Sequence, residues 1–372
     1  MMIHPRAIPV WGLAGLACLC LLLLKHTIII FMQHHSSNFA TSYIQPSTPA
    51  SKLTPISNST LGFQKVLAIG LPSRSDKRDA LALISSLTGF GISWIDGVIG
   101  DDIPDKAVPF GIDRKVLWES NLGSWRGHMN AIRTVVEEGY ASALIMEDDM
   151  DWDVRLKKQL VEFAKGASYL QYSREDASPY GDDWDVLWLG HCGEVFPETL
   201  DEYKEVSATD PGILALSRKY TISPDVTVPP PEEVHGFQNY SEFPYTRWVH
   251  ISGGPICSFA YAVSQRGARK ILFDLSIDHL TGPFDNALAG LCRHGRDKQR
   301  MGMQCISVTP PLFDHHKAKG TVSKDSDIQK YGAGGAVREV GWTENIVWSA
   351  RGNIHKLLLG SKDMDSQFAR QG

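Results

Sequence analysis

Apolar positions along this chain fall into short blocks that alternate between the two periods of regular secondary structure. Val66–Ile69 is a continuous apolar run and predicts a strand. Ala80, Leu81, Ile84 and Leu87 then recur at helical spacing, with Ser75 as the expected N-cap and Gly89 as the stop. Ile92–Ile95 predicts the next strand, so the opening reads as a β-α-β unit on a parallel sheet. Trp125–Glu138 predicts a helix with Met129, Ile132, Val135 and Val136 on one face, and it feeds the apolar run Ala143–Met146. Beyond Asp153, Leu156, Leu160, Phe163, Ala164 and Ala167 line the inner face of another helix. Trp184–Leu189, Phe259–Val263 and Ile306–Thr309 predict further strands, and Ser264 caps a helix carrying Ala268, Ile271, Leu272 and Leu275. Thr343 to Leu359 has apolar residues at roughly helical spacing. Strands alternating with amphipathic helices predict an α/β fold.

The N-terminus changes the picture of compartment. Residues 8–32 are almost wholly apolar, interrupted by Pro9 and by Lys25, His26 and Thr27, and the run is long enough to span a bilayer. A cleaved signal peptide is the rival reading, because Ala14, Gly15 and Ala17 supply small residues. The run outlasts an ordinary signal core, so an uncleaved anchor is expected, with residues 1–7 as a cytoplasmic tail and Arg6 favouring N-in orientation. Residues 33–62, rich in Ser, Thr and Pro, read as a stalk; 63–342 as the folded domain; 343–372 as a C-terminal tail. That organisation predicts a single-pass type II protein of the Golgi or endoplasmic reticulum, with its domain in the lumen. Two sequons, at Asn58 and Asn239, fit that location. Cys192, Cys257, Cys292 and Cys305 allow two disulfides in three connectivities, or four buried thiols. The formal charge of -5, with no clustered basic face, argues against nucleic acid as a partner.

The candidate chemistry lies where the run Ala143–Met146 meets Glu147, Asp148 and Asp149, followed by Asp151 and Asp153. Carboxylates crowded at a strand end repel one another unless a cation or hydrogen bonds compensate. Strict alternation would aim Glu147 and Asp149 one way and Asp148 the other. A hard divalent metal suits such a group, and a solvated acidic loop is the plainer alternative. Asp153 directly precedes a helix and is expected to cap it. Asp285 has the same two faces: an N-cap for the helix from Ala287, or a functional carboxylate.

The order of several blocks resembles glycosyltransferase family 25, which holds lipooligosaccharide and procollagen galactosyltransferases. The likeness runs from about Val66 to about Ile328. It rests on Gly70-Leu71-Pro72-Ser73-Arg74-Ser75-Asp76-Lys77-Arg78, where Gly70 stands for the family's Asn and Lys77 for an Arg. Ser124-Trp125-Arg126-Gly127-His128 keeps the family's His but not its Ser or Cys. Met146-Glu147-Asp148-Asp149 is nearly intact, and Trp184–Gly190, Tyr261–Ser264 with Gly267-Ala268, and Pro283-Phe284-Asp285 follow in order.

The resemblance implies a GT-A-like fold, a Rossmann-like mixed and mostly parallel sheet with flanking helices. It also implies transfer of a sugar, galactose, from UDP-galactose to a glycan or glycoprotein hydroxyl with inversion, aided by Mn²⁺. On that footing Asp149 is the expected metal ligand, with His315 or His316 completing the set. Glu147 or Asp148 is a ribose or outer partner, Arg74 and Arg78 hold the nucleotide, and Asp285 is the base. Arg74 and Arg78 read equally well as an exposed helix start, and His128 as a satisfied core histidine. The rival functions are a metal-dependent phosphohydrolase and a non-catalytic lumenal binding protein with a vestigial acidic cluster.

Overall fold

A computed structural model describes residues 50–171, 178–237, 240–296, 301–328 and 335–368. The expected anchor, the cytoplasmic tail, most of the stalk and Asn239 lie outside the described residues. Among the described residues no helix is long and apolar enough to cross a membrane. The strands are β1 Lys65–Gly70, β2 Ser93–Asp96, β3 Ser142–Glu147, β4 Met150–Trp152, β5 Val186–Gly190, β6 Lys219–Ile222, β7 Arg247–Ile251, β8 Ala260–Ser264, β9 Cys305–Thr309 and β10 Phe313–Lys317. Three two-residue strands follow: β11 Gly320–Thr321, β12 Val337–Arg338 and β13 Trp342–Thr343. The α-helices are α1 Ala50–Leu53, α2 Ser75–Leu87, α3 Glu119–Glu137, α4 Leu156–Gln171, α5 Pro211–Leu216, α6 Gln265–Leu272, α7 Phe284–His294 and α8 Ile354–Leu358.

The main sheet has eight strands in the order β2-β1-β3-β8-β5-β9-β7-β6. Parallel pairing joins β1 to β2 and β3, and β5 to β9; β8 and β7 run against their neighbours. The strands thus run mostly in one direction, as a Rossmann-like α/β sheet does. Both faces are covered, which is why the strands read as unbroken apolar runs. Val66, Ala68, Leu144 and Met146 face α2 and α4, whose Leu81, Ile84, Leu160 and Phe163 are fully buried. Leu67, Ile69, Ala143 and Ile145 face α3, α6 and α7 across Trp125, Met129 and Ile132.

Several expected boundaries move. Helix α3 begins at Glu119 rather than Trp125, because Gly123, which breaks the sequence pattern, lets the helix close on Val98 O. Ser75 opens α2 without a side-chain cap bond, and Arg74 is the N-cap. Ile56 and Leu61 are fully buried, so the folded part begins upstream of Phe63. The expected C-terminal tail is helical only over Ile354–Leu358.

The segment before that short helix is tied to β4. Asp151 accepts bonds from Thr343 Oγ1 (2.7 Å) and Arg351 N (3.1 Å), and from Ser349 Oγ. Asp153 lies three residues ahead of α4 rather than at its N-cap, and accepts from Arg155 N (2.8 Å) and Trp348 N (3.1 Å). Asp151 is fully buried. Asp151→Ala strands several buried donors at once, and a stability loss of about 3 kcal/mol or more is expected in urea unfolding. A loss below about 1 kcal/mol would show that these bonds are replaced by water.

Candidate functional site

Strand β3 ends at Glu147 and the chain turns at Asp148 and Asp149 before β4, so the carboxylates cluster at the C-terminal edge of β1 and β3. The turn breaks the alternation expected from the sequence. Glu147 faces α3 and the loop before β8, where its Oε1 accepts from Ser258 Oγ at 2.8 Å and lies 3.6 Å from His128 Nε2. Asp148 and Asp149 instead turn together onto Lys77 of α2, whose Nζ is 3.4 Å from Asp148 Oδ1 and 2.9 Å from Asp149 Oδ2. A Cβ on Gly70 would lie 2.4 Å from Asp148 Oδ2, so the glycine makes room for this turn.

Strand β10 pairs antiparallel with β4 and brings His315 opposite Met150. His315 Nε2 is 3.4 Å from Asp149 Oδ2. Both His315 Nε2 and Asp149 Oδ1 are buried without a hydrogen-bond partner. Unsatisfied buried acceptors of this kind need an explanation, and a carboxylate beside an imidazole is a donor pair that a divalent transition metal takes. His316, next on the strand, points the other way. Its Nδ1 meets Thr343 Oγ1 at 2.8 Å and lies 3.8 Å from Asp151, which leaves it out of that pair.

The charges are unevenly set. Burial, then the charge of Asp149, pushes the Asp148 carboxyl up to about 7. Burial acts on Asp149 too, but His315 and Lys77 outweigh it and hold that carboxyl down at about 2. Asp149 is therefore the anionic member of the pair. Behind the turn, the half-buried Arg351 donates to Met150 O (2.9 Å) and Asp148 O (3.0 Å).

Two cavities meet at Glu147 and Asp149. One, of about 260 Å³, is floored by the ends of β1 and β3 and walled by Val98–Asp101 and the start of α3. It opens outside the carboxyl ends of parallel strands, the usual ligand crevice of such sheets. The other, of about 430 Å³, is lined by Trp118, Ser258, Asp285, His315 and the Cys192–Cys257 bridge. Asp285 lies in the first turn of α7 and is not its N-cap, which is Pro283. Its Oδ2 accepts from Cys257 N at 3.0 Å.

The cations divide. Arg74 pairs with Asp76 (2.8 Å) and with Asp327 (2.5 Å), and Lys77 also reaches Asp327 at 2.8 Å. Asp327 lines the smaller cavity. Neither arginine lines these two cavities: Arg74 lines a third, of about 490 Å³, with Lys77, Asp149 and His316, while Arg78 donates to Gly70 O (2.7 Å) and Asp96 (2.5 Å) and lies over Trp94, bracing the ends of β1 and β2. His128 is buried as a core histidine would be. It stacks on Phe284 and connects Tyr261 OH (3.0 Å) to Ser258 Oγ (3.2 Å), which puts it behind Glu147.

Sequence reasoning missed Lys77, Asp327 and Arg351. Lys77 was legible only as the residue standing for an Arg in the Gly70–Arg78 block, with no role assigned to it, and Asp327, in a lysine- and glycine-rich stretch, carried no spacing signal. Among the described residues, Asp274, Asp278 and His279 form a separate acidic cluster, which carries no argument for a metal.

No family model matches the chain. Over 160 residues it is 26% identical to procollagen galactosyltransferase 1 of Danio rerio, a match covering 40% of this chain and 24% of that protein. The chain thus aligns with about a quarter of the length of that curated relative. The comparison supports a galactosyltransferase-like relationship over that part, and through it a glycosyltransferase.

Proposed function

We propose that this protein is a metal-dependent glycosyltransferase that moves galactose from UDP-galactose to a hydroxyl of a glycan or glycoprotein, with inversion. The observation that carries the reading is the meeting of two cavities at Asp149, where the buried Asp149 Oδ1 and His315 Nε2 lack partners. A reaction with two substrates needs such a junction, with the donor on one side and the acceptor on the other. Asp149 and His315 would hold a divalent metal, Mn²⁺, which when bound supplies charge stabilisation to the departing diphosphate. Lys77 and Arg74 bind the diphosphate oxygens from the α2 side. Glu147, held by Ser258, orients the ribose end of the donor or the outer sphere of the metal. Asp285 takes the proton of the acceptor hydroxyl as that oxygen attacks. The protein acts in the lumen of the secretory pathway, held there by an N-terminal anchor.

The test is a nucleotide-release and transfer assay with the purified lumenal part. UDP-galactose and other nucleotide sugars are offered with Mn²⁺, with and without EDTA, and with glycan acceptors. Release that depends on metal and acceptor is expected. Cleavage of phosphate esters without any sugar transfer would favour a phosphohydrolase, and no turnover of any donor a binding protein.

Asp327 supplies a second handle. Its carboxylate sits between the two cations assigned to the diphosphate, so a bound nucleotide must compete with it. Asp327→Asn should tighten UDP binding by about threefold to tenfold in calorimetry, the scale of one partly exposed ion pair. Weaker binding would mean that Asp327 contacts the nucleotide itself.

A further inference from the structure

The Cys192–Cys257 disulfide forms part of the wall of the larger cavity, and its surroundings differ from those of the second bridge. Cys292 and Cys305 are 0% and 5% exposed, and their bridge ties α7 to β9 inside the core. Cys192 is exposed and its bridge faces the space beside Asp285. Cys257 has φ of 65°, a left-handed conformation that residues with a Cβ rarely adopt. Backbone held in this way is found where surrounding structure fixes it, and often at functional positions.

The surroundings here are specific. Cys192 N donates to Ile256 O and Ile256 N to Gly193 O, each at 3.0 Å, so the two cysteine-bearing segments form a short antiparallel bridge. Trp188 Nε1 donates to Cys257 O at 3.1 Å from below. With its side chain and carbonyl both tied, Cys257 presents its N–H to Asp285 Oδ2. The next residue, Ser258, presents its hydroxyl to Glu147 Oε1. One turn of backbone therefore fixes the carboxylates on both sides of the junction.

We infer that the Cys192–Cys257 disulfide is a positioning element for the transfer reaction, holding the left-handed turn that aims Cys257 N–H at Asp285. The inference rests on the reading of Asp285 as the base. It concerns alignment of the acceptor side: Ser258 is also held by His128 Nε2 at 3.2 Å, so Glu147 keeps its partner and donor binding, which uses the other cavity, is left intact.

The experiment compares C192S/C257S with C192S/C257G, each with and without D285N, in the full lumenal chain. Glycine adopts positive φ without steric cost, so it restores the turn without restoring the bridge. The serine pair should lose about tenfold in kcat with the donor KM within about twofold, and the glycine pair should recover most of that loss. In the D285N background the serine pair should cost little further, because the two changes remove one shared function. Thermal unfolding of each variant separates misfolding from misalignment, and the glycine pair serves if the serine pair unfolds. Equal losses in the two pairs, or effects additive with D285N, would overturn the inference. Full turnover of D285N alone sinks the base assignment and leaves the bridge to a readout independent of catalysis. There, amide exchange at Cys257 and Ser258 at least about tenfold faster without the bridge supports the positioning role, and unchanged exchange overturns it.

Discussion

Asp149→Asn should lower metal-dependent sugar transfer by about two orders of magnitude or more while leaving the fold intact. Asp149 is held anionic by His315 and Lys77, and its second oxygen lacks a protein partner. The amide keeps the shape but loses the charge, and an amide oxygen is a weak ligand for a hard cation. Lys77 keeps Asp148 and Asp327 as neighbours, so the packing of α2 against the turn survives. Three measurements together decide the matter: initial rates with Mn²⁺, the Mn²⁺ concentration giving half-maximal rate, and the unfolding midpoint. Activity within a few-fold of the unmodified protein would remove Asp149 from the metal site. The neighbouring His315→Ala should weaken Mn²⁺ with a smaller loss in rate at saturating metal.

Asp285→Asn should drop turnover about a hundredfold with near-normal affinity for the nucleotide sugar. The carboxylate lies in the first turn of α7, and the amide oxygen of asparagine can still accept the Cys257 N–H bond. The local structure is thereby preserved, but the proton-accepting capacity is gone. Asp285 serves through its position on the acceptor cavity. Calorimetry with UDP separates this variant from a donor-site lesion. Nearly full turnover in a folded D285N would reduce Asp285 to a structural acceptor for the Cys257 amide.

Much of the scaffold was legible because each buried strand is a compact apolar run and each helix has a single apolar face. Val66–Ile69, Ala143–Met146 and Ile306–Thr309 all fall inside the strands observed. The order of the strands was not legible. Phe259–Val263 reads like any other buried strand, and nothing local says that β8 runs antiparallel between β3 and β5. The Asp314-His315-His316 stretch is polar enough to pass for a loop, yet β4 pairs with it and turns it into the strand that delivers His315. Alternation failed at Glu147–Asp149 because the strand stops one residue before Asp148. The apolar residues of Ile346–Trp348 pack without a helix, since Asp151 and Asp153 take up the backbone and side-chain donors around them. Disulfide connectivity is a property of the folded chain and has no sequence signature.

Arg351 donates to the carbonyl of Asp148 across 203 positions of chain. During synthesis at about 5–20 residues per second, the acidic turn therefore waits roughly ten to forty seconds for the guanidinium that backs it. Over that interval the carbonyls of Asp148 and Met150 are without this guanidinium and are left to water. Nascent chains arrested before residue 351 should carry a finished β1-α2-β2 unit and an open, protease-sensitive segment at 147–153. The acidic turn is thus backed in full only once residue 351 has left the ribosome, long after the strands on either side of it.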